Sequence, residues 1–337
     1  MALHAVDDLS DAYRASKDFL LPFTWGRWLR LALLSIFIAG GSGGGGGAPP
    51  NGFQYSMDAG DPFGPQVGAG FERLGDLIQA NLGLLIGLVV VGIALALVFA
   101  WIAAVFEFSF LESLRSEEVH VRQYFGRFNG MGTRLFAFRL LFGLGLAILF
   151  GGVFLLAIGP VALGFGAAPL LLLVILAPVL FIVGLLASIV YVLTTAFVVP
   201  IMLHEDRGVL SAWGRFWQTL KTDWEQFLVF ILVGLFVMIV FGIILGIVTA
   251  ILGVVVAIPF AILGFLIYFG TGGVFGPLLL VVLGIPLALV LVLVGALVQV
   301  PLQTYLRYWA LLILGDVDEE LDLIPEQRAA IRDETPS

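Results

Sequence analysis

A chain of 337 residues that is 61% hydrophobic and only 12% charged, with a mean hydropathy of +1.10, lies outside the soluble range and reads as an all-α, polytopic transmembrane helical bundle. The absence of cysteine excludes a disulfide framework, a thiolate metal site and a cysteine nucleophile. A net charge of −8 argues against nucleic acid as a partner, although much of the excess is local, with eight acidic residues against two arginines in 316–334.

From the N-terminus, Met1 to Phe23 has the periodicity of an amphipathic helix, with Val6, Leu9, Tyr13, Phe19 and Leu20 roughly on one side and Pro22 as its breaker. Trp28 to Gly40 is apolar apart from Arg30, and spans only if Arg27 and Arg30 snorkel to the interface, beside Trp25 and Trp28. A signal peptide is the competing reading, but its n-region would be long and carry four aspartates. Residues 40–83 open with a glycine tract and proline turns, the composition of a loop, and no GK[ST] follows to make it a phosphate cradle. Phe71 to Leu82 has the pattern of a short interfacial helix.

Leu84 to Leu111 is long enough to cross ~30 Å of hydrocarbon, and about 20 residues complete that crossing before Glu107 is reached, which places this carboxylate at the interface. The connector Arg115 to Arg139 puts Val121, Tyr124, Phe125 and Phe128 on one helical face beside Arg127, and residues 129–132 (NGMG) supply a break before the next span. Leu140 to Leu203 then carries no charge over 64 residues, ~96 Å as helix, which allows two spans with a re-entrant turn, or three, with Gly159-Pro160 and Gly164 to Pro169 marking the turn. A third connector, His204 to Gln226, repeats Val209, Trp213, Trp217, Leu220 and Trp224 at helical spacing around Arg215, the signature of a membrane-surface helix. Phe227 to Leu314 has Arg307 as its only charge and again exceeds one perpendicular span, with Gly253, Pro259 and residues 270–277 offering bends. Arg307 and Trp309 extend the last span beyond the hydrocarbon, and 315–337 forms an acidic, solvated tail with a helix from Pro325.

Basic residues fix the orientation. Four lie in 1–30, five in 115–139, three in 203–226 and three in 307–337, against Arg73 alone in the 40–83 loop. The positive-inside rule then puts both termini and all connectors in the cytoplasm and the loop outside, with about six spans in a single domain, 1–314. Amphipathic connector, ascending span, turn and descending span recur as three helical-pair repeats, about 1–114, 115–206 and 207–314. Residues 126–128 and 214–216, both Gly-Arg-Phe, occupy like places, and Tyr13 to Leu20 is a looser first copy.

The chemistry-bearing residues are sparse. Each histidine, His4, His120 and His204, lacks a helical metal-site partner, so no metal or cofactor is expected. His204, Glu205 and Asp206 form the best polar cluster, read as a solvated helix start with Asp206 as cap because no nucleophile can be placed beside it. Within the apolar blocks the polar groups are Ser188, Thr194, Thr195, Gln299, Gln303 and Thr304, too few charges for an ion pump. Glu107, His204, Glu205, Gln299 and Gln303 are therefore the weak functional candidates. Trp25, Trp28, Tyr124, Arg127, Trp213, Arg215, Trp217, Trp224, Arg307 and Trp309 are the candidate membrane-interface residues.

The segments 21–23 (LPF) with 28–33 (WLRLAL), 213–217 (WGRFW) with 224–227 (WEQF), and 305–309 (YLRYW) with 314–316 (LGD) resemble an uncharacterised haloarchaeal family of multi-pass membrane proteins over nearly the whole chain. Acidic, arginine-over-lysine composition, with Lys17 and Lys221 the only lysines, fits a salt-adapted cytoplasm. A more distant likeness is to the membrane domain attached to some glycerophosphodiester phosphodiesterases, whose soluble catalytic domain is missing here. The resemblance implies about six helices and carries no activity, so the chain reads as a structural or accessory protein of the cell membrane rather than an enzyme. Its expected partners are the lipid bilayer and a membrane protein or lipid-like ligand. The alternative is a transporter or lipid-handling protein with a weakly polar cavity between repeats, lined by Ser188, Thr194 and Gln299.

Overall fold

The computed structural model describes residues 4–41, 82–162, 170–270 and 275–333. It is helical throughout its regular elements: α1 (His4–Leu20), α2 (Trp25–Gly41), α3 (Leu82–Ser116), α4 (Val121–Ala162), α5 (Leu171–Leu193), a π-helical turn (Thr194–Val198), α6 (Val199–Glu205), α7 (Val209–Thr222), α8 (Trp224–Gly270), α9 (Phe275–Val317), a 3-10 turn (Glu319–Leu321) and α10 (Pro325–Asp333). The helix expected at 71–82, most of the 40–83 loop and the turn at 164–169 lie outside the described residues.

The two long apolar blocks resolve more simply than their lengths suggest. Among the described residues, five helical runs are long and apolar enough to cross a membrane: Ile86–Ser116, Val121–Pro160, Leu171–Glu205, Trp224–Gly270 and Leu279–Val317. α2, with 17 residues, reaches ~26 Å. No re-entrant bend is used within these runs. Pro160, Pro178, Pro259 and Pro286 all lie inside helices.

The break expected at residues 129–132 is also absent, since α4 continues from Val121 through it. Gly132 instead marks a helix crossing. A Cβ there would lie 2.4 Å from Val105 Cγ2 and 2.7 Å from Val105 Cα, so the missing side chain lets α3 and α4 approach to backbone contact.

Close packing concentrates at one end of the bundle, where α1, α7 and α10 meet the ends of the long helices. Phe108, Phe110, Phe128, Phe197, Phe216, Phe227, Tyr308 and Trp309 are all buried there. Farther along, α3, α4, α5, α8 and α9 carry exposed apolar side chains such as Leu88, Leu155, Ile175, Phe236 and Leu289. An apolar outer surface of this extent fits a lipid solvent, which has no polar groups to satisfy a backbone.

The short helices bury other faces than apolar size alone predicts. On α1, Val6 and Tyr13 are exposed, while Asp8, Ala12, Ala15, Ser16, Phe19 and Leu20 are buried. α1 lies against α9, where Tyr305 Oη donates to Leu9 O at 3.4 Å and Phe19 meets Tyr308 edge-on, and small residues allow that approach. On α7, Val209, Ala212, Phe216 and Thr219 are buried, whereas Trp217 and, at the start of α8, Trp224 are exposed. Phe216 stacks on Phe197 with centroids 5.4 Å apart and meets Phe227 edge-on.

The acidic tail is not a solvated extension. Leu321, Leu323, Ile324 and Ile331 are buried. Gln327 Nε2 donates to Leu114 O at 3.2 Å, and Arg215 Nη2 reaches Asp318 Oδ2 at 2.8 Å, so the tail is fastened to α3 and α7. Apolar residues at 321, 323, 324 and 331 dock it despite its charge.

Candidate functional site

Glu107, in the closely packed part of α3, is 1% exposed. Arg139 of α4 donates from Nη2 to Glu107 Oε2 at 2.8 Å and to Thr195 Oγ1 at 2.9 Å. Arg307 of α9 brings Nη2 to 3.6 Å from Glu107 Oε1, and its Nη1 donates to the carbonyl oxygen of Thr195. The Arg139 guanidinium lies 4.8 Å from the centroid of the Tyr191 ring, a cation–π contact. One carboxylate and two guanidiniums thus join α3, α4, α9 and the α5–π-turn segment, with one positive charge in excess.

The π turn explains why Thr195 can take part. Pro200 has no N–H to offer the preceding turn, and its ring would clash with the Ala196 carbonyl of a regular helix. The chain takes in one extra residue, and Val199 N–H donates to Thr194 O rather than to Thr195 O. In a π-helical register the next donor to Thr195 O would be residue 200, which is the proline. The Thr195 carbonyl is left open at a half-buried position, and Arg307 fills it. A proline five residues after Thr195 thereby creates the acceptor that orients an arginine.

The cluster's level in the bundle can be read from its neighbours. Phe241 of α8 stacks with Tyr305, two residues before Arg307, and Leu232, Leu235, Phe236 and Ile239, which precede Phe241, are exposed and apolar. On α4, by contrast, Asn129, Thr133 and Arg134 are exposed just before Arg139. The ion cluster therefore sits inside the apolar belt on the α8 side and near its edge on the α4 side. Counting residues along α3 alone places Glu107 at the interface. Its carboxylate is enclosed by helices whose approach that count could not include.

The other predicted residues distribute as follows. Trp25, Trp217 and Trp224 are exposed, and Trp28 is half-buried with Nε1 donating to Leu20 O at 3.2 Å. Arg127 is exposed and pairs with Glu112 at 3.1 Å. Trp213 is half-buried and donates to Thr194 Oγ1 at 3.2 Å. Arg215 pairs with Asp318 and Glu320. Three residues lie inside instead: Tyr124 and Trp309 are buried, and Arg307 belongs to the ion cluster.

His204 is exposed, and Glu205 pairs with Arg207 at 3.1 Å. Asp206 does not cap a helix start. It adopts a left-handed conformation, φ 52°, at the end of α6, which short polar side chains tolerate, and Gly208 precedes α7. Ser188 is exposed, Thr194 is buried under Trp213, and Gln299 and Gln303 are half-buried, so these side chains do not converge on one cavity. Among the described residues no three His, Asp or Glu side chains gather as metal ligands.

A second charged cluster closes the packed end. Arg332 of α10 donates to Asp8 Oδ1 at 3.0 Å, Asp316 Oδ2 at 2.5 Å and Asp11 Oδ2 at 3.4 Å. Arg328 reaches Asp316 and Asp322, each at 2.6 Å. Burial pushes the Asp8 carboxyl up to about 7, helped by the neighbouring Asp316 and Asp11 and opposed by Arg332. Hydrogen bonding to Asp316 raises the Arg332 guanidinium further above its already high ordinary value.

Long apolar helices around a small set of mutually paired charges define a multi-pass membrane protein. The chain belongs to the family of unknown function DUF7544, which matches residues 3–324. Comparison with curated proteins and with solved structures finds no match. Sequence pattern does not distinguish Tyr191 from its neighbours, and Arg139 has the pattern of one more basic connector residue, its one distinguishing signal being that it is the last charge before the 64-residue uncharged block.

Proposed function

We propose that this chain is a structural or accessory protein of the cell membrane, without catalytic turnover, in which six spans form three helical-pair repeats. The observation that carries the reading is the Glu107–Arg139–Arg307 cluster. The most buried charges of the spanning segments are spent on one another and on Thr195, fastening four helical segments together, rather than facing a passage. Buried ionic groups of this kind specify one arrangement of helices more readily than they drive a reaction.

Three aromatic pairs support the repeat: Phe19 with Tyr308, Phe128 with Phe108, and Phe216 with Phe197. In each, a connector residue meets the end of a descending helix, so the three units would close in a ring. Both termini and the connectors are assigned to the cytoplasm on the distribution of basic residues. The acidic, lysine-poor composition is the basis for keeping the haloarchaeal likeness within this reading. Its partners are the bilayer and either a membrane protein or a lipid-like ligand.

The cysteine-free sequence makes the topology directly testable. Cysteines placed at His204 and at Ser56 are expected to react with an impermeant maleimide from opposite sides of the membrane, and labelling of both from one side would overturn the six-span arrangement. In proteoliposomes the protein is expected to leave the flipping rate of a fluorescent phospholipid at that of empty vesicles. A faster rate that changes in Glu107→Gln would replace the accessory reading with lipid handling. That second reading draws support from Ser35 of α2 and Gln303 and Thr304 of α9, whose buried side-chain oxygens have no hydrogen-bond partner among the described residues on helices that pack together.

A further inference from the structure

Between α2 and the start of α4 lies an open groove of about 690 Å³, with Arg30, Leu33, Val119, His120, Val121 and Arg122 in its wall. It shares Arg30, Val119 and His120 with a smaller hollow of about 290 Å³ toward Thr24 and Arg27. Arg30 Nη1 donates to Val119 O at 3.0 Å, which fixes the guanidinium on the wall and leaves it further donors to offer. Arg122 is exposed and has no hydrogen-bond or ion-pair partner among the described residues. The larger groove has no acidic residue in its wall. Glu117 and Glu118 line the smaller hollow instead, where Glu118 lies 3.4 Å from His120 and Glu117 accepts from Gln327 at 3.2 Å.

The groove also runs along α2. Exposed Trp25 meets Phe23 edge-on at one end, Arg30 follows, and Leu29 and Leu33 are exposed on the same helix. Trp25 and Leu29 precede Arg30 and Leu33 follows it, so the guanidinium is flanked along α2 by an interfacial aromatic ring and by aliphatic side chains.

We propose that this groove binds an anionic phospholipid of the leaflet facing the basic connectors. Its phosphate bridges Arg30 and Arg122, and its acyl chains lie along Leu29 and Leu33. The occupant is a lipid rather than a soluble phosphate because the aliphatic wall continues directly from the two cations. The site rests on the membrane reading above and gives the lipid-like ligand a place.

Native mass spectrometry of the purified full chain, titrated with phosphatidylglycerol and phosphatidylcholine, tests it. Each arginine is expected to contribute about fivefold to the preference for the anionic lipid, so Arg30→Gln with Arg122→Gln should lose roughly 25-fold. Arg122→Gln alone, at an exposed side chain without a protein partner, should lose about fivefold with an unchanged helical spectrum. Arg134→Gln, exposed but outside the groove wall, should keep the wild-type preference. Equal binding of the two lipids by the wild type, an unchanged preference in Arg122→Gln, or displacement of the lipid by millimolar inorganic phosphate would each overturn the proposal. Flotation with phosphatidylcholine vesicles separates the two ideas: a chain that fails to float defeats the membrane reading, and one that floats without anionic preference defeats only the site.

Discussion

Replacing Glu107 with glutamine removes the carboxylate that, among the described residues, pairs with both guanidiniums of the cluster, while keeping the side chain's size. At an effective dielectric of about 20, its contacts with Arg139 at 2.8 Å and Arg307 at 3.6 Å correspond to roughly 6 and 5 kcal/mol of gross attraction. Desolvation of the three ions, several kcal/mol each, offsets much of this, so the pairing itself yields little net stability. The variant is different: it keeps the desolvation of both arginines and loses their counter-charge. Breaking a buried pair in this way costs about 3–5 kcal/mol, or on the order of 4–7 °C in thermal midpoint for a chain of this size.

The measurement is thermal unfolding in lipid nanodiscs, following tryptophan fluorescence and helicity together. Glu107→Gln should lose that much, whereas the triple replacement of Glu107, Arg139 and Arg307 by methionine should recover most of it, because no unpaired charge remains. A Glu107→Gln midpoint within a degree of wild type would refute the idea that this cluster fastens the helices. So would a triple variant worse than the single one.

Gly132→Ala forces a methyl group toward the Val105 backbone and should cost about 1–3 kcal/mol. Gly130→Ala, where the Cβ meets open space, should be neutral or slightly stabilising, and equal midpoints for the two would dismiss the close crossing. Asp8 titrates near 7 in the folded protein against 3.8 as its ordinary value, so its contribution to stability is greatest below about 4 and falls as pH rises towards about 7. Asp8→Asn should flatten the pH dependence of α10 release, read by hydrogen exchange between pH 5 and 8, and an unaltered profile would show that another group governs the latch. Trp213→Ala should lower the midpoint by removing a packed side chain and its bond to Thr194, while Trp217→Ala and Trp224→Ala should leave it within a degree and weaken vesicle association instead. Equal midpoint losses for the three would contradict their different burial.

Periodicity and composition alone determined that the chain is helical, that its surface is suited to lipid, and where most helices begin. These properties are additive along a segment, and even the helix from Pro325 follows from one proline and the turn around it. The faces of α1 and α7 were not legible in the same way, because burial at Ala12, Ala15, Ala212 and Phe216 is set by the size of what packs opposite. The continuity of α4 through 129–132 was hidden for a related reason. Gly132 has the same local signature whether it ends a helix or admits another backbone, and only the position of Val105 distinguishes the two.

The candidate site depended on tertiary structure most of all. Glu107, Arg139, Thr195 and Arg307 come from four separate stretches of sequence, and each alone has the look of a polar residue near a span end. A charge near the end of its own helix can lie deep within the bundle once longer neighbours surround it, so its solvation is decided by the assembly rather than by its position in the chain.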